Sequence, residues 1–476
     1  MQKTSYFEHP KPADPSRRSP FSHPGLPSAL RAALLLQFHL SLMAYIAPFR
    51  ALRYRTSRAP LSQVVTQPYD KITPEMQEGY YASSPYNLVR IILGKRMATD
   101  SAGDNPYTRA ARFLGDWRQE GVLVQDSEPS LYFYSQSFNV PGTQTRAERH
   151  GFIGLGHLED YSAQVVFRHE QTLAKPKADR LDLVRATRAH FGQIFVVYSD
   201  PQGEVDKALA SQAAPDMETR DEYGVVHRVW KVSDAQRIAL VQEKMRDKKL
   251  IIADGHHRYE TALNYRNERR AAADAGAQKD APYEFVMMTF VNMDSPGLVI
   301  LPTHRVVHDL SDFSADRLRD GARAYFSVEE VDPAIDAARA HGILKEASQT
   351  GTALLAVTAN RAFLFDRPKA MGSDIFANLS FRQQSLDVVQ LHKCLLEGVL
   401  GLSEESIRNQ QNLRYFRETG EALEQVRSGA ANVAFLMNPV RMQQVRDIAF
   451  AGEVLPQKST DFYPKLLSGL CIYSLE

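Results

Sequence analysis

Apolar residues recur along this chain at two spacings, and the spacing predicts most of its elements. In "NPYTRAARFLGDWRQEG", residues 105–121, apolar positions fall at helical intervals behind Pro106 and stop at Gly121, which predicts an amphipathic helix. "SLYFYSQSFNV" and "RHGFIGLGHL", residues 130–140 and 149–158, alternate or run apolar as strands do, on either side of a turn-rich segment. "KADRLDLVRATRAHFG" predicts a helix ended by Gly192, and "QIFVVYSD" after it a buried strand. "GVVHRVWKV" predicts a strand, "SDAQRIALVQEKM" a helix capped by Ser233 or Asp234, and "KLIIAD", residues 249–254, another buried strand. "YEFVMMTFVNM" and "GLVILPTHRVV" predict one strand each. From His308 helices dominate up to "TALLAVTANRAFLFD", which predicts a hairpin. No internal repeat is present, and the expected class is α/β in the mixed α+β sense.

Composition narrows the class of function. With 476 residues, 43% of them hydrophobic and 24% charged, the chain has material for an ample core and two or three domains. Fifty-seven Lys and Arg stand against 56 Asp and Glu, and no run of five like charges occurs. Nothing in bulk electrostatics draws such a chain to nucleic acid or a membrane, so neither is an expected partner. Cys394 and Cys471 are too few for a disulfide framework or a Cys-rich zinc site, which favours a reducing compartment, the cytoplasm. Up to Pro27 the chain is rich in Pro, Ser and His; "ALRAALLLQFHLSLM" follows, interrupted by Gln37 and His39 and too short to span a bilayer. Residues 1–42 are therefore read as a disordered or over-long amino-terminal extension rather than a signal peptide, with the folded chain opening at "MAYIAPFRALRY".

Candidate chemistry concentrates at three places. In "IIADGHHRYETALNYR" a buried strand ends at Ala253 and a helix starts near His256, with Gly255 between them. Unpaired N–H groups and the positive end of a helix dipole then share one spot, which suits a phosphate. Gly255 lets the backbone approach closely, Arg258 offers a planar fork of donors, and Asp254 would cap the helix or hold Mg2+. Adjacent helical residues point about 100° apart, so His256 and His257 do not share a metal ion and at most one faces the site. The same pattern also serves as an ordinary capped junction. Upstream, "FRHEQTLAKPKADRL" holds His169 and Glu170 behind an apolar run, with Lys177, Asp179 and Arg180 opening the next helix; Leu173 stands where a zinc HExxH motif needs its second histidine. Near the end, "AGEVLPQKSTDFYPKLLSGL" packs Lys458, Ser459, Thr460, Tyr463 and Lys465 into a Pro-punctuated loop that suits phosphate or carboxylate, or a plain surface turn. A Walker loop, a complete dinucleotide fingerprint and the protein-kinase motifs are all missing.

From Met43 onward the chain resembles the family known as domain of unknown function 1015, through "IAPFRALRY", "QPYDKI", "SPYNLVRI", "DNPYTRAARFLGDW", "RHEQTLAKPKADRL", "IADGHHRYETALNYR", "GLVILPTHRVV" and "GEVLPQKSTDFYPKLLSGL". Three blocks in the same order, "HEQ" at 169–171, "DGHHR" at 254–258 and "GEVLPQKST" at 452–460, are more distantly similar to free L-serine kinases of the ParB/sulfiredoxin-like superfamily. That resemblance implies a ParB/sulfiredoxin-like nucleotide-binding core at 161–307, an amino-terminal β-rich segment at 43–160 and a carboxy-terminal α/β domain at 308–476 that closes a cleft. It implies phosphate transfer from ATP or ADP, with Mg2+, to the hydroxyl of L-serine or another small molecule, giving O-phospho-L-serine. Glu170 would be the general base, Asp254 would assist or place Mg2+, and His257 would act beside them. Gly255, His256, Arg258, Lys458, Ser459 and Thr460 would hold phosphates or nucleotide, while His169, Lys177 and Arg180 would contact substrate. Two departures stand out: a longer segment between HEQ and DGHHR, and Asp461–Phe462 where those kinases carry Arg-His. The competing reading is a nucleotide-binding regulatory or scaffold module without turnover, which has no need of a carboxylate beside the transferred phosphate.

Overall fold

Strands made of four or five consecutive apolar residues need cover on both faces, and two such strands lie inside the main sheet. The computed structural model describes residues 44–172, 174–273, 280–369 and 371–476, so the reading of residues 1–42 lies outside the described residues. Nine strands form the larger sheet: β1 (Ile46–Ala47), β2 (Leu131–Asn139), β3 (Arg146–His157), β4 (Val166–Phe167), β5 (Ile194–Tyr198), β6 (Met217–Arg220), β7 (Val226–Val232), β8 (Leu250–Asp254) and β9 (Phe285–Asn292). Their order is β4-β8-β5-β9-β3-β2-β7-β6, with β1 added on β3. Phe195, Val197, Ile251 and Ala253 enter one hydrophobic core, and Ile194, Val196, Leu250 and Ile252 enter another. Successive side chains of β5 and β8 thus cover opposite faces, which is why their sequences read as continuous apolar runs.

Helices α1 (Pro106–Gln119), α2 (Ala174–Thr187), α3 (Ala235–Met245) and α4 (His256–Ala272) belong to the same unit, which spans residues 44–476. Asn105 caps α1 in a reciprocal capping box with Thr108, and Asp234 caps α3 by accepting from the Arg237 N–H. Six antiparallel strands form a second sheet: β10 (His304–Val307), β11 (Ser327–Val331), β12 (Ala353–Val357), β13 (Ala362–Asp366), β14 (Leu413–Phe416) and β15 (Val433–Met437), in the order β11-β13-β12-β15-β10-β14. The fold is mixed α/β, as the alternation predicts. Among the described residues no helix is long and apolar enough to cross a membrane.

Three boundaries differ from expectation. The helix expected to reach Gly192 stops at Thr187, because Ala189–His190 pair with Tyr473–Ser474 at the far end of the chain. "GLVILPTHRVV" is two strands rather than one. Pro302 has no N–H to continue a ladder, so Val299–Leu301 pair with Asp461–Tyr463 while β10 joins the second sheet. Edge strand β11 lies inside the region read as helical; its residues are half-buried or exposed, so no apolar run marked it.

The carboxy-terminal segment 461–473 is buried throughout and runs back against the larger sheet. Arg149 fastens it: the fully buried guanidinium donates to the carbonyls of Tyr463 (3.0 Å) and Pro464 (2.5 Å) and to the Gln136 side chain, over the Phe195 ring. Burial lowers its pKa to about 10, so it stays charged at neutral pH. Arg149→Ala strands these acceptors without a donor, and the expected loss is roughly 3 kcal/mol or more in urea denaturation, with the tail's amides losing hydrogen-exchange protection first.

Candidate active site

Parallel strands end at the same edge of a sheet, and here that geometry joins two distant motifs. β4 and β8 are parallel neighbours, Val166 opposite Leu250 and Phe167 opposite Ile251. The residues leaving them, His169–Glu170 and Asp254–Gly255, therefore emerge side by side at the carboxyl ends of the strands, where open α/β sheets bind ligands. Gly255 is the N-cap of α4 at φ +94°, with no side-chain cap on the helix, so Asp254 does not cap it. A Cβ at Gly255 would meet the Arg258 guanidinium at 3.0–3.1 Å. Conformation favours glycine here, and the arginine folded over it would have to shift to admit a Cβ.

Hydrogen bonding fixes the histidines. His169 Nδ1 lies 2.8 Å from the Ile252 carbonyl, which only accepts, so Nδ1 carries the proton. Burial lowers the pKa of this ring to about 4, so Nε2 is unprotonated and accepts from the Thr460 hydroxyl at 2.9 Å. His256 is buried and turned inward: its ring packs edge-on to His169, and its Nε2 accepts from the His169 N–H at 3.4 Å. It does not face a phosphate. His257, on the other side of the turn, is half-buried; burial depresses its pKa, opposed by Asp70 and Glu260 and reinforced by Lys177 and Lys458.

Glu170 is half-buried, and its Oε1 accepts from the Lys458 N–H at 3.1 Å. Burial raises its pKa above the ordinary glutamate value, the Lys458 N–H opposing. Leu455 N–H donates to the His169 carbonyl at 2.8 Å, so the carboxy-terminal loop is zipped to the HEQ segment. Lys458 adopts φ +57°, uncommon outside glycine, and Arg305 supports it by donating to its carbonyl at 3.1 Å.

The strongest charge cluster lies beneath. Lys465, 9% exposed, places its ammonium 3.3 Å from Asp254 Oδ1 and 3.0 Å from Asp461 Oδ1. Asp254 Oδ2 accepts from Arg258 (2.6 Å), whose other terminal nitrogen donates to the Gln193 carbonyl (2.6 Å), and Asp461 Oδ2 accepts from Arg417 (2.6 Å). Burial opposes ionisation of both aspartates, yet Lys465, then Arg258 for Asp254 and Arg417 for Asp461, hold them well below the usual carboxylate range. The aspartates in turn outweigh burial at Lys465 and push its pKa up. Lys71 stands nearby, its pKa lowered by burial and by Lys465.

The expected site residues divide. His169, Glu170, Asp254, Gly255, His257, Arg258 and Lys458 are brought together. Ser459 is buried and its hydroxyl donates to the Pro456 carbonyl (2.5 Å), and Thr460 is engaged by His169, so neither hydroxyl is aimed at a ligand. Lys177 is paired to Glu260 at 2.8 Å, and Arg180 is tied to Asp179 and to the Ile92 carbonyl. Lys71 and Asp461 were absent from the expected set, and Lys465 was expected only as part of the carboxy-terminal loop that suits phosphate or carboxylate. Their only sequence signal is membership of the "QPYDKI" and "GEVLPQKSTDFYPKLLSGL" blocks, plus the i, i+4 spacing of Asp461 and Lys465. Both Asp254 oxygens are engaged by cations, and among the described residues no group of three or more His, Cys, Asp or Glu is arranged to hold a metal. A magnesium ion here would be carried mainly by phosphate oxygens.

A family model described as "Protein of unknown function (DUF1015)" matches residues 46–389. No curated protein matches at a significant level. Among solved structures, a conserved hypothetical protein from Pyrococcus furiosus is 12% identical, with 64% of this chain and 92% of that one covered and a TM-score of 0.32. A free serine kinase in complex with AMP is 14% identical over 64% of this chain and 89% of that one, with a TM-score of 0.33. SbnI from Staphylococcus aureus, truncated at its carboxy terminus, is 11% identical over 67% and 87%, with a TM-score of 0.32. Likeness of this degree carries no argument about activity.

The charge cluster sets a pH dependence. In the native protein the depressed aspartates contribute stability that is complete above about pH 4, the unfolded Asp value, and is lost as pH falls further. In Lys465→Met the two carboxylates lose their shared cation and keep only Arg258 and Arg417; burial then outweighs these, the pKa values rise above the unfolded value of about 4, and stability falls as pH increases from about 4 to 7. The expected deficit is about 3–5 kcal/mol at pH 7 and smaller at pH 5, read by urea denaturation. An equal deficit at both pH values would remove the electrostatic explanation.

Proposed function

The chain belongs to the DUF1015 family, and from the site just described we propose that it is a small-molecule phosphotransferase. The proposed reaction moves the terminal phosphate of ATP or ADP to the hydroxyl of free L-serine, giving O-phospho-L-serine. The observation that carries it is one carboxylate of raised pKa, Glu170, held beside a glycine-opened helix N-terminus and the cations Arg258, Lys71, Lys458 and Lys465. Such a set supplies what phosphoryl transfer needs, which is alignment, charge neutralisation and a proton acceptor.

In this reading residues 161–307 are the nucleotide-binding core and the loop around Lys458 belongs to the closing part, 308–476. The phosphates meet the positive, amino-terminal end of α4, and Arg258, oriented by Asp254 and the Gln193 carbonyl, has further N–H donors for their oxygens. Glu170 takes the proton of the acceptor hydroxyl as the new O–P bond forms. The P–O bond to the nucleotide breaks, and ADP leaves when ATP is the donor, or AMP when ADP is. A carboxylate with a raised pKa is a better base near neutrality than an ordinary glutamate. Mg2+ bound to the phosphates would supply further charge neutralisation beside Arg258 and Lys458. Two observations support an amino acid as acceptor: the ordered "HEQ", "DGHHR" and "GEVLPQKST" blocks, and a cleft lined by Lys71, Arg417, Lys458, Thr460 and Asp461, whose mixed charges suit a zwitterion.

The test is turnover of purified protein with ATP or ADP and Mg2+ across a panel of amino acids and polyols, the product identified by mass. Glu170→Gln is expected to lower kcat by about 10²–10⁴ while nucleotide affinity stays within about twofold. In the wild type kcat/KM is expected to fall on acidification through a pKa above the usual glutamate value. Undiminished turnover in Glu170→Gln would refute the assignment, and tight nucleotide binding without transfer to any acceptor would identify a binding module.

A further inference from the structure

A pocket lies on the flank of α4, next to the phosphate turn. Its walls are largely apolar, with Leu183 and Val184 from α2, Ile194 from β5 and Ala262 from α4. One side is flat and rigid: the Arg180 guanidinium, fixed by Asp179 and the Ile92 carbonyl, lies over the Tyr69 ring at 4.1 Å. Arg258 belongs to both places, lining this pocket and folding over Gly255. Gly192 keeps the floor open, since a Cβ there would meet Arg258 Nη1 at 3.1 Å and Ser468 Oγ at 3.3 Å.

His190 also lines the pocket. It is 8% exposed, and neither ring nitrogen has a hydrogen-bond partner. Buried polar groups are paired as a rule, so an imidazole with both nitrogens unpaired marks a place where a ligand atom belongs. Burial lowers its pKa to about 4, so at neutral pH the ring offers one N–H donor and one lone pair. Such a pair suits the edge of a nucleobase, which carries both donors and acceptors, while apolar walls and an Arg–Tyr surface suit its faces.

We propose that this pocket is the base subsite of the nucleotide donor, taking a purine whose edge hydrogen-bonds His190. The inference deepens the phosphotransferase reading and rests on it for the phosphates, while the pocket can be tested without them. The full chain is titrated calorimetrically with ADP, inorganic pyrophosphate and adenosine, as wild type, His190→Ala and Leu183→Trp. Pyrophosphate affinity serves as the check that each variant is folded. Wild type is expected to bind ADP at least about 30-fold more tightly than pyrophosphate, a stacking and burial contribution. His190→Ala is expected to weaken ADP and adenosine by about tenfold with pyrophosphate unchanged. Leu183→Trp, which fills the pocket, is expected to abolish adenosine binding and bring ADP down to the level of pyrophosphate.

Equal affinity of the wild type for ADP and pyrophosphate would overturn the proposal, and so would ADP binding unchanged in both variants. Adenosine binding that both variants weaken, in a protein that transfers no phosphate, would keep the base pocket and remove the kinase reading. Serine phosphorylation that Leu183→Trp leaves at full rate and affinity would do the reverse.

Discussion

The ammonium of Lys465, buried between Asp254 and Asp461, is the interaction on which the site depends. A buried lysine is tolerated only when carboxylates and hydrogen bonds replace its water, and two aspartates do so here. Asp254 ends β8, and Asp461 opens the carboxy-terminal tail. Their shared cation therefore joins the phosphate turn to a segment more than 200 residues away in sequence. The same contact orients Asp254 toward Arg258, which crosses the glycine that opens α4. Loss of the ammonium would leave two buried anions beside a turn arranged to receive a third.

Around that cluster, buried arginines act as fasteners. Arg149 holds the carbonyls just before Lys465, and Arg305 holds the carbonyl of Lys458, so both ends of the tail's functional stretch are tied to side chains of other elements. Arg258 and Arg180 do similar work at the turn and at the neighbouring pocket. In each case the guanidinium donates to backbone carbonyls of other elements. Lys458 can then keep a positive φ, and its N–H points at Glu170.

Burial also separates the roles of the ionisable groups. His169, His190 and His256 lose their charge, because nothing near them outweighs the cost of desolvation. Asp254, Asp461 and Lys465 keep theirs, because each has an opposite charge within about 3 Å. Neutral imidazoles then serve as hydrogen-bonding struts, and the fixed charges set the potential that an anionic ligand meets. Glu170 lies between these regimes, ionisable but shifted toward the proton.

The sequence by itself determined what depends on near neighbours. The apolar runs of β5 and β8, the caps at Asn105 and Asp234, and the strand–Gly255–helix junction follow from periodicity and from backbone preferences that act within a few residues. The "HEQ", "DGHHR" and lysine-loop segments were legible as candidates, through residue chemistry and resemblance. Only the tertiary structure decided that Glu170 stands beside Asp254, because that follows from β4 and β8 being parallel neighbours. It also decided that Ser459 and Thr460 are engaged within the protein, that α2 stops at Thr187 to let Ala189–His190 meet Tyr473–Ser474, and that Lys71 and Asp461 belong to the site beside Lys465. The reason is physical: a helix cap is made by residues already adjacent, whereas a buried ion pair exists only after folding has closed a long loop and removed the water between its partners.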